Sequence, residues 1–293
     1  MLHTSCRLLA AGLSILATAT VAAPVPRFDH VVVVIMENHS AAEIYGSTYA
    51  PYINGTLIAG GAKFGSSFGV THPSQPNYIA MFSGSTQGVI DDSCPHSFST
   101  GNLGQQLIDA GFSFTQFSEG LPATGDTSCT YGLYARKHNA SADFPALPAS
   151  TNQPFANFAS AVANATLPTV SFVAPDLCND MHGAGSCSGA NLIALGDQWL
   201  ANNLPQYLVS PAACNGLLIV TWDEDDSSGV NQIPTIFFGA HVKAGYVSGT
   251  LINHYALLRT LEDMYGLAPL GAAALATPIM DVWDDVIFRD GFQ

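Results

Sequence analysis

Positive charge is scarce in this chain. Lys and Arg number 8 in 293 residues, against 22 Asp and Glu, for a formal net charge of −14. Such a surface repels nucleic acid and anionic lipid headgroups at long range. Neither nucleic-acid binding nor stable membrane anchoring is therefore expected. A small anionic substrate is not excluded, because a bound cation reverses the field locally. Charged residues of both signs make up only 10%, and hydrophobic residues 48%. That composition affords a sizeable core and speaks against disorder. The chain has no CxxC pair or Cys/His cluster of the kind that holds structural zinc. It has no internal repeat and no low-complexity linker, and no Gly-x-Ser-x-Gly elbow surrounds Ser74, which disfavours a serine acyl hydrolase. Beyond the N-terminus no run is long and apolar enough to cross a bilayer.

What is present begins with a leader. Arg7, the apolar run Leu8 to Val21, and Ala22-Ala23 read as a signal peptide over residues 1–23. An exported protein, periplasmic or extracellular, is expected. Residues 24–293 suit one catalytic domain by length. The mature chain would keep Cys94, Cys129, Cys178, Cys187 and Cys214. In an oxidising compartment five cysteines imply two disulfides and one spare thiol. We expect Cys94–Cys129 and Cys178–Cys187, with Cys214 buried before a core strand, although spacing does not decide the pairing.

The β-branched run His30 to Met36 does not alternate, so it predicts a central strand covered on both faces. Gly216 to Trp222 and Pro168 to Val173 are further strands, and Ile233 to Phe238 and Phe112 to Phe117 are weaker ones. Helical patterns cover Leu103 to Ala110, Gly189 to Asn203 and His254 to Tyr265. This alternation predicts an α/β domain with a mostly parallel sheet, whose active site lies beyond the carboxyl ends of its strands.

Two predicted strands end in oxygen ligands. The first runs into Glu37-Asn38-His39, and the run ending at Trp222 continues into Asp223-Glu224-Asp225-Asp226. Glu37, Asn38, Asp223 and Glu224 form a hard-oxygen set suited to one divalent ion, Mg²⁺, Ca²⁺ or Mn²⁺ rather than zinc. Asp225 and Asp226 read as solvated loop residues. Thr71-His72-Pro73-Ser74-Gln75-Pro76-Asn77-Tyr78 then precedes a helical pattern. Ser74 at a helix N-terminus is either a cap or a nucleophile ionised by a metal. Asn77 could turn its amide to a phosphoryl oxygen. Tyr78 and Trp222 read as core or pocket wall, and His39 as a neighbour of the metal pair.

Glu37-Asn38, His72-Pro-Ser74-Gln-Pro-Asn77-Tyr78, Asn179-Asp180-Met181-His182, Trp222-Asp223-Glu224 and His254 to Glu262 occur in one order. In that order they resemble the phosphoesterase family of bacterial acid phosphatases and phospholipases C, within the alkaline-phosphatase-like superfamily. The resemblance spans roughly Asp29 to Gly266. It implies a three-layer α/β/α sandwich and a single-metal site of Glu37, Asn38, Ser74, Asp223 and Glu224. It also implies that Ser74 is the nucleophile, with His182 and His254 as catalytic histidines. Asn77, Asp180, His138 and His72 are implied as substrate-binding residues. His138 sits in Lys137-His138-Asn139-Ala140, where relatives often carry Pro at the fourth position.

The mechanism expected is transfer to Ser74 followed by hydrolysis of a phosphoserine, with a protonated His182 or His254 giving a proton to the leaving oxygen. Protonated histidines would favour an acid or near-neutral optimum. Only an Ala-rich segment and the acidic tail Asp281 to Gln293 follow Gly266, which favours small soluble monoesters. Phospholipase C or other phosphodiesterase activity is the alternative. A secreted metal- or phosphate-binding protein without catalysis is the second.

Overall fold

The computed structural model describes residues 25–284. The expected signal peptide and the end of the acidic tail lie outside the described residues. One eight-stranded sheet organises the chain. Its strands are β1 (His30–Met36), β2 (Ala62–Phe64), β3 (Phe114–Ser118), β4 (Asn152–Pro154), β5 (Val170–Ala174), β6 (Gly216–Trp222), β7 (Thr235–Gly239) and β8 (Tyr246–Ser248). They lie in the order β8-β2-β7-β6-β1-β5-β3-β4.

β1 occupies the middle because its side chains are apolar on both faces. Val31, Val33 and Ile35 enter one hydrophobic cluster, and Val32, Val34 and Met36 enter the other. This is the two-residue period of a strand applied to a chain with water on neither side. Helices α1 (Ser74–Ser83), α2 (Leu103–Asp109) and α5 (His254–Tyr265) cover the first face. Helices α3 (Ala156–Ala163) and α4 (Leu192–Asn203) cover the second through Phe158, Val162, Trp199 and Leu200. The fold is a three-layer α/β/α sandwich with a mostly parallel sheet, as expected from the sequence.

The differences have local causes. β7 runs antiparallel to both β6 and β2, a direction that no local pattern encodes. β2, β4 and β8 have three residues each, too few to show a period. α4 begins at Leu192 rather than Gly189, because the Asn191 side chain accepts the Ala194 N–H at 3.0 Å and caps it there. α5 is capped by Asn253, whose side chain accepts from Tyr255 and Ala256, so His254 is not the cap. Both expected disulfides form, Cys94–Cys129 and Cys178–Cys187. Closing loops of 35 and 9 residues contributes about 4 and about 3 kcal/mol in the chain-entropy account. Cys214 is exposed, contrary to expectation. It lies in the turn before β6, two residues short of the first covered position.

In α5 a carboxyl group is buried without a charge partner. Glu262 Oε1 accepts the Leu270 N–H at 2.8 Å, and Oε2 has no partner. Burial pushes its pKa from 4.5 up to about 8. Between those values the folded state holds a proton that the unfolded chain releases, so stability falls as pH rises through this window. Glu262→Gln, which is always neutral, should flatten the decline. Urea midpoints at about pH 5 and about pH 8 measure it; an unchanged decline in the variant would contradict the assignment.

Candidate active site

The register of the central strands assembles the site. β1 and β6 are parallel neighbours with Met36 opposite Trp222. The next residues, Glu37-Asn38 and Asp223-Glu224, therefore leave the sheet side by side at its carboxyl edge. Asp223 N–H donates to Met36 O at 3.1 Å, and Asn38 N–H to Asp223 Oδ1 at 3.2 Å. Asn38 adopts a left-handed backbone, φ 48°, which Asn tolerates better than most residues.

α1 brings Ser74 to this edge. Its cap position is Pro73, and Ser74 is the first helical residue, so its hydroxyl is not spent on capping. Ser74 Oγ lies 2.9 Å from Glu37 Oε2, 3.0 Å from Glu224 Oε1 and 3.3 Å from Asn38 Oδ1. A hydroxyl has one proton to give, and here three acceptor oxygens converge on it. Asp223 Oδ2 is buried nearby with no hydrogen-bond partner among the described residues. Glu37 and Asp223 are fully buried. Burial first, then repulsion from Asp180, raises Glu37 well above the carboxylate range. Burial, then Glu37 and Glu224, does the same to Asp223. Crowded, desolvated anionic oxygens with too few protons are the environment that a cation relieves. The donor set is all oxygen, which fits Mg²⁺, Ca²⁺ or Mn²⁺. A second grouping, Glu37, His138 and His182, places ligand atoms within 4.8 Å of one another. There the Lys137 ammonium already stands 3.1 Å from His182 Nε2.

The remaining residues are placed differently from the sequence expectation. Asn77 is buried with both its N–H donors on Thr71 O and Pro73 O, and its oxygen accepts from Val70 and Thr71. It shapes the loop that presents Ser74 and has no donor left for a phosphoryl oxygen. Asp180 is also turned inward. Its Oδ1 accepts the His182 N–H at 2.7 Å, and its Oδ2 lies 3.1 Å from His138 Nδ1. His138 Nε2 lies 3.2 Å from Glu37 Oε1, so Asp180 and His138 lie behind Glu37. His72 pairs with Glu224 through Nδ1 and stands 3.5 Å from Asp225 Oδ1 through Nε2, so it orients Glu224. Asp225 is itself buried, accepting the Asn231 and Ser227 N–H groups, and is not the solvated residue expected. His39 pairs with Glu43 at 3.3 Å.

Burial disfavours the protonated form of both expected acids. His254 is buried with Nε2 on the Asp223 carbonyl at 2.5 Å, and burial lowers its pKa to about 4. It braces the Asp223 backbone. His182 is lowered by burial and by Lys137. Its Nδ1 donates to Gly183 O, and Nε2 is left as an acceptor. The sequence reading missed three residues. Tyr78 donates to Glu37 Oε1 at 2.5 Å and stacks on His138. It lies four residues after Ser74 on one helix, hence on the same face, a spacing that could have revealed it. Lys137 and Asp92 form an ion pair at 2.8 Å beside the site; no sequence spacing joins them.

The family model described as the phosphoesterase family matches residues 51–268. The chain belongs to the phosphoesterase family. It is 46% identical over 265 residues to a phosphatidylinositol-3-phosphatase of Mycobacterium tuberculosis, covering 90% of this chain and 86% of that one. It is 26% identical over 235 residues to an acid phosphatase of Aspergillus fumigatus, covering 73% of this chain and 51% of that one. The chain spans about half the length of that fungal relative. The fold is also that of a solved alkaline phosphatase superfamily protein from Vibrio parahaemolyticus, at TM-score 0.60 and 15% identity, covering 88% of this chain and 72% of that one. This phosphoesterase is thus a phosphoric-ester hydrolase on an alkaline-phosphatase-like fold.

The crowded carboxylates predict a stability response. Divalent cation at a hundredfold above its Kd should stabilise the phosphoesterase by about 2.7 kcal/mol, seen as a higher Tm. Asp223→Asn should raise the Tm of the cation-free protein and lose most of the response. Thermal melts with and without Mg²⁺, Ca²⁺ or Mn²⁺ decide; an undiminished response in the variant would place the cation elsewhere.

Proposed function

We propose that this phosphoesterase is an exported, metal-dependent phosphomonoesterase of the acid-phosphatase kind, with Ser74 as nucleophile. The observation that carries the reading is the convergence of Glu37, Asn38 and Glu224 oxygens on Ser74 Oγ. A serine in a purely structural or binding role has no use for three anionic or carbonyl acceptors around one hydroxyl. Glu37, Asn38, Ser74, Asp223 and Glu224 would hold the ion. A bound divalent cation supplies Lewis-acid chemistry, lowering the hydroxyl pKa and offsetting phosphoryl charge.

The chain's own residues do the rest. Tyr78 holds Glu37 by a hydrogen bond, and His72 pairs with Glu224, so the oxygens around Ser74 Oγ keep their places. The Ser74 oxygen attacks phosphorus, the ester oxygen leaves, and water then cleaves the phosphoserine. Among the first backbone amides of α1, Pro73 and Pro76 have none and that of Gln75 is taken by Asp92. The Ser74 N–H is the one left for a phosphoryl oxygen.

Two disulfides support export to an oxidising compartment. The relative named for phosphatidylinositol 3-phosphate extends the substrate class from soluble monoesters to a monoester carried on a lipid headgroup. Burial that disfavours the protonated histidines weakens the sequence-based argument for an acid optimum, so acidity rests on the relatives named acid phosphatase.

Hydrolysis of 4-nitrophenyl phosphate should be abolished by a chelator and restored by divalent cation. Ser74→Ala should lose at least about a thousandfold in kcat, as nucleophile removals do. Chelator-sensitive activity that survives in Ser74→Ala would mean that water attacks directly. A strong preference for the diester would favour the phosphodiesterase alternative, and no turnover of any ester would favour a binding protein.

A further inference from the structure

The ion pair beside the site has an unusual set of partners. Lys137 Nζ donates to Asp92 Oδ2 at 2.8 Å and stands 3.1 Å from His182 Nε2. His182 gives its Nδ1 proton to Gly183 O at 2.9 Å, so Nε2 accepts from the ammonium. An ammonium has three N–H donors. Among the described residues, the third has no partner. Asp92 in turn accepts the Gln75 N–H at 3.0 Å through its other oxygen. One carboxylate therefore clips Lys137 to the residue that follows Ser74. Both disulfides anchor this arrangement, since Cys94 lies two residues from Asp92, and Cys178–Cys187 closes the loop carrying His182.

The position matters because Glu37, His138 and His182 converge there as metal-type ligands, yet a fixed ammonium already faces them. The ion pair with Asp92 at 2.8 Å keeps the ammonium in place.

We propose that Lys137 is a phosphoryl-binding cation that stands in for a second metal and reads the extra negative charge of a phosphate monoester. This rests on the reading of the pocket as a phosphomonoesterase site. The free N–H would donate to a non-bridging oxygen. A monoester carries a charge of about −1.5 to −2 near neutral pH, whereas a diester carries one negative charge. The ammonium therefore favours the monoester by charge.

The test compares wild type, Lys137→Met and Lys137→Arg, all saturated with Mg²⁺ and checked for an unchanged melting profile. Inorganic phosphate is titrated calorimetrically, and kcat/KM is measured for 4-nitrophenyl phosphate and for its bis-ester. Lys137→Met should weaken phosphate binding and monoester kcat/KM by about ten- to a hundredfold, the range for one lost hydrogen bond to a charged group. Diester turnover should change far less, and Lys137→Arg should recover part of the phosphate affinity. Unchanged phosphate affinity in Lys137→Met, or equal losses on both esters, overturns the proposal. Should the Ser74 reading fail instead, Ser74→Ala keeps its turnover while the phosphate titration still reports on Lys137. If Lys137→Met melts early, Lys137→Arg together with Lys137→Gln gives the same comparison.

Discussion

The structure depends on three oxygens crowding one hydroxyl. Glu37, Asn38 and Glu224 approach Ser74 Oγ closely, and buried Asp223 adds an oxygen, Oδ2, with no hydrogen-bond partner among the described residues. Bare, this group of charges is costly, since desolvation exceeds what a single proton can offset. Everything around it works to hold it together. The central strands deliver Glu37-Asn38 and Asp223-Glu224 at adjacent positions, and both hydrophobic clusters hold those strands in register. Tyr78, His138 and Asp180 form a buried chain behind Glu37, and His72 supports Glu224.

That arrangement explains where the disulfides sit. The carboxyl edge of the sheet is built from loops, which are the least constrained part of an α/β fold. Residues 92 and 182 come from separate loops and residue 137 from the short 3-10 helix Arg136–His138. One disulfide lies next to Asp92 and the other encloses the turn after His182. The covalent links therefore stabilise the part of the fold that the core packing reaches least. Lys137, Asp92 and His182 can then hold fixed hydrogen bonds at a surface otherwise rich in negative charge.

Much of this was legible in the sequence. The uninterrupted β-branched run of β1 announced a strand covered on both faces, and the acidic residues directly after β1 and β6 stand side by side at the carboxyl edge. Ser74 left two options open, and its place one residue inside the helix settled that it does not cap. For the histidines, sequence gives a residue type but not its burial. His254 and His138 are buried within the protein, where burial disfavours the charged ring. Asn77 was read as a ligand to substrate because its amide could point outward; the tight loop before α1 uses all of it. Lys137 and Asp92 are 45 residues apart, and only the folded loops make them a pair.

The central claim is that Ser74 carries the phosphoryl group between substrate and water. The stereochemical course at phosphorus tests it most directly. An isotopically chiral phosphate monoester would be used, with the phosphoryl group captured by an acceptor alcohol. Two successive in-line transfers, one to Ser74 and one from it, predict net retention of configuration. Net inversion would mean a single direct displacement and would contradict the account.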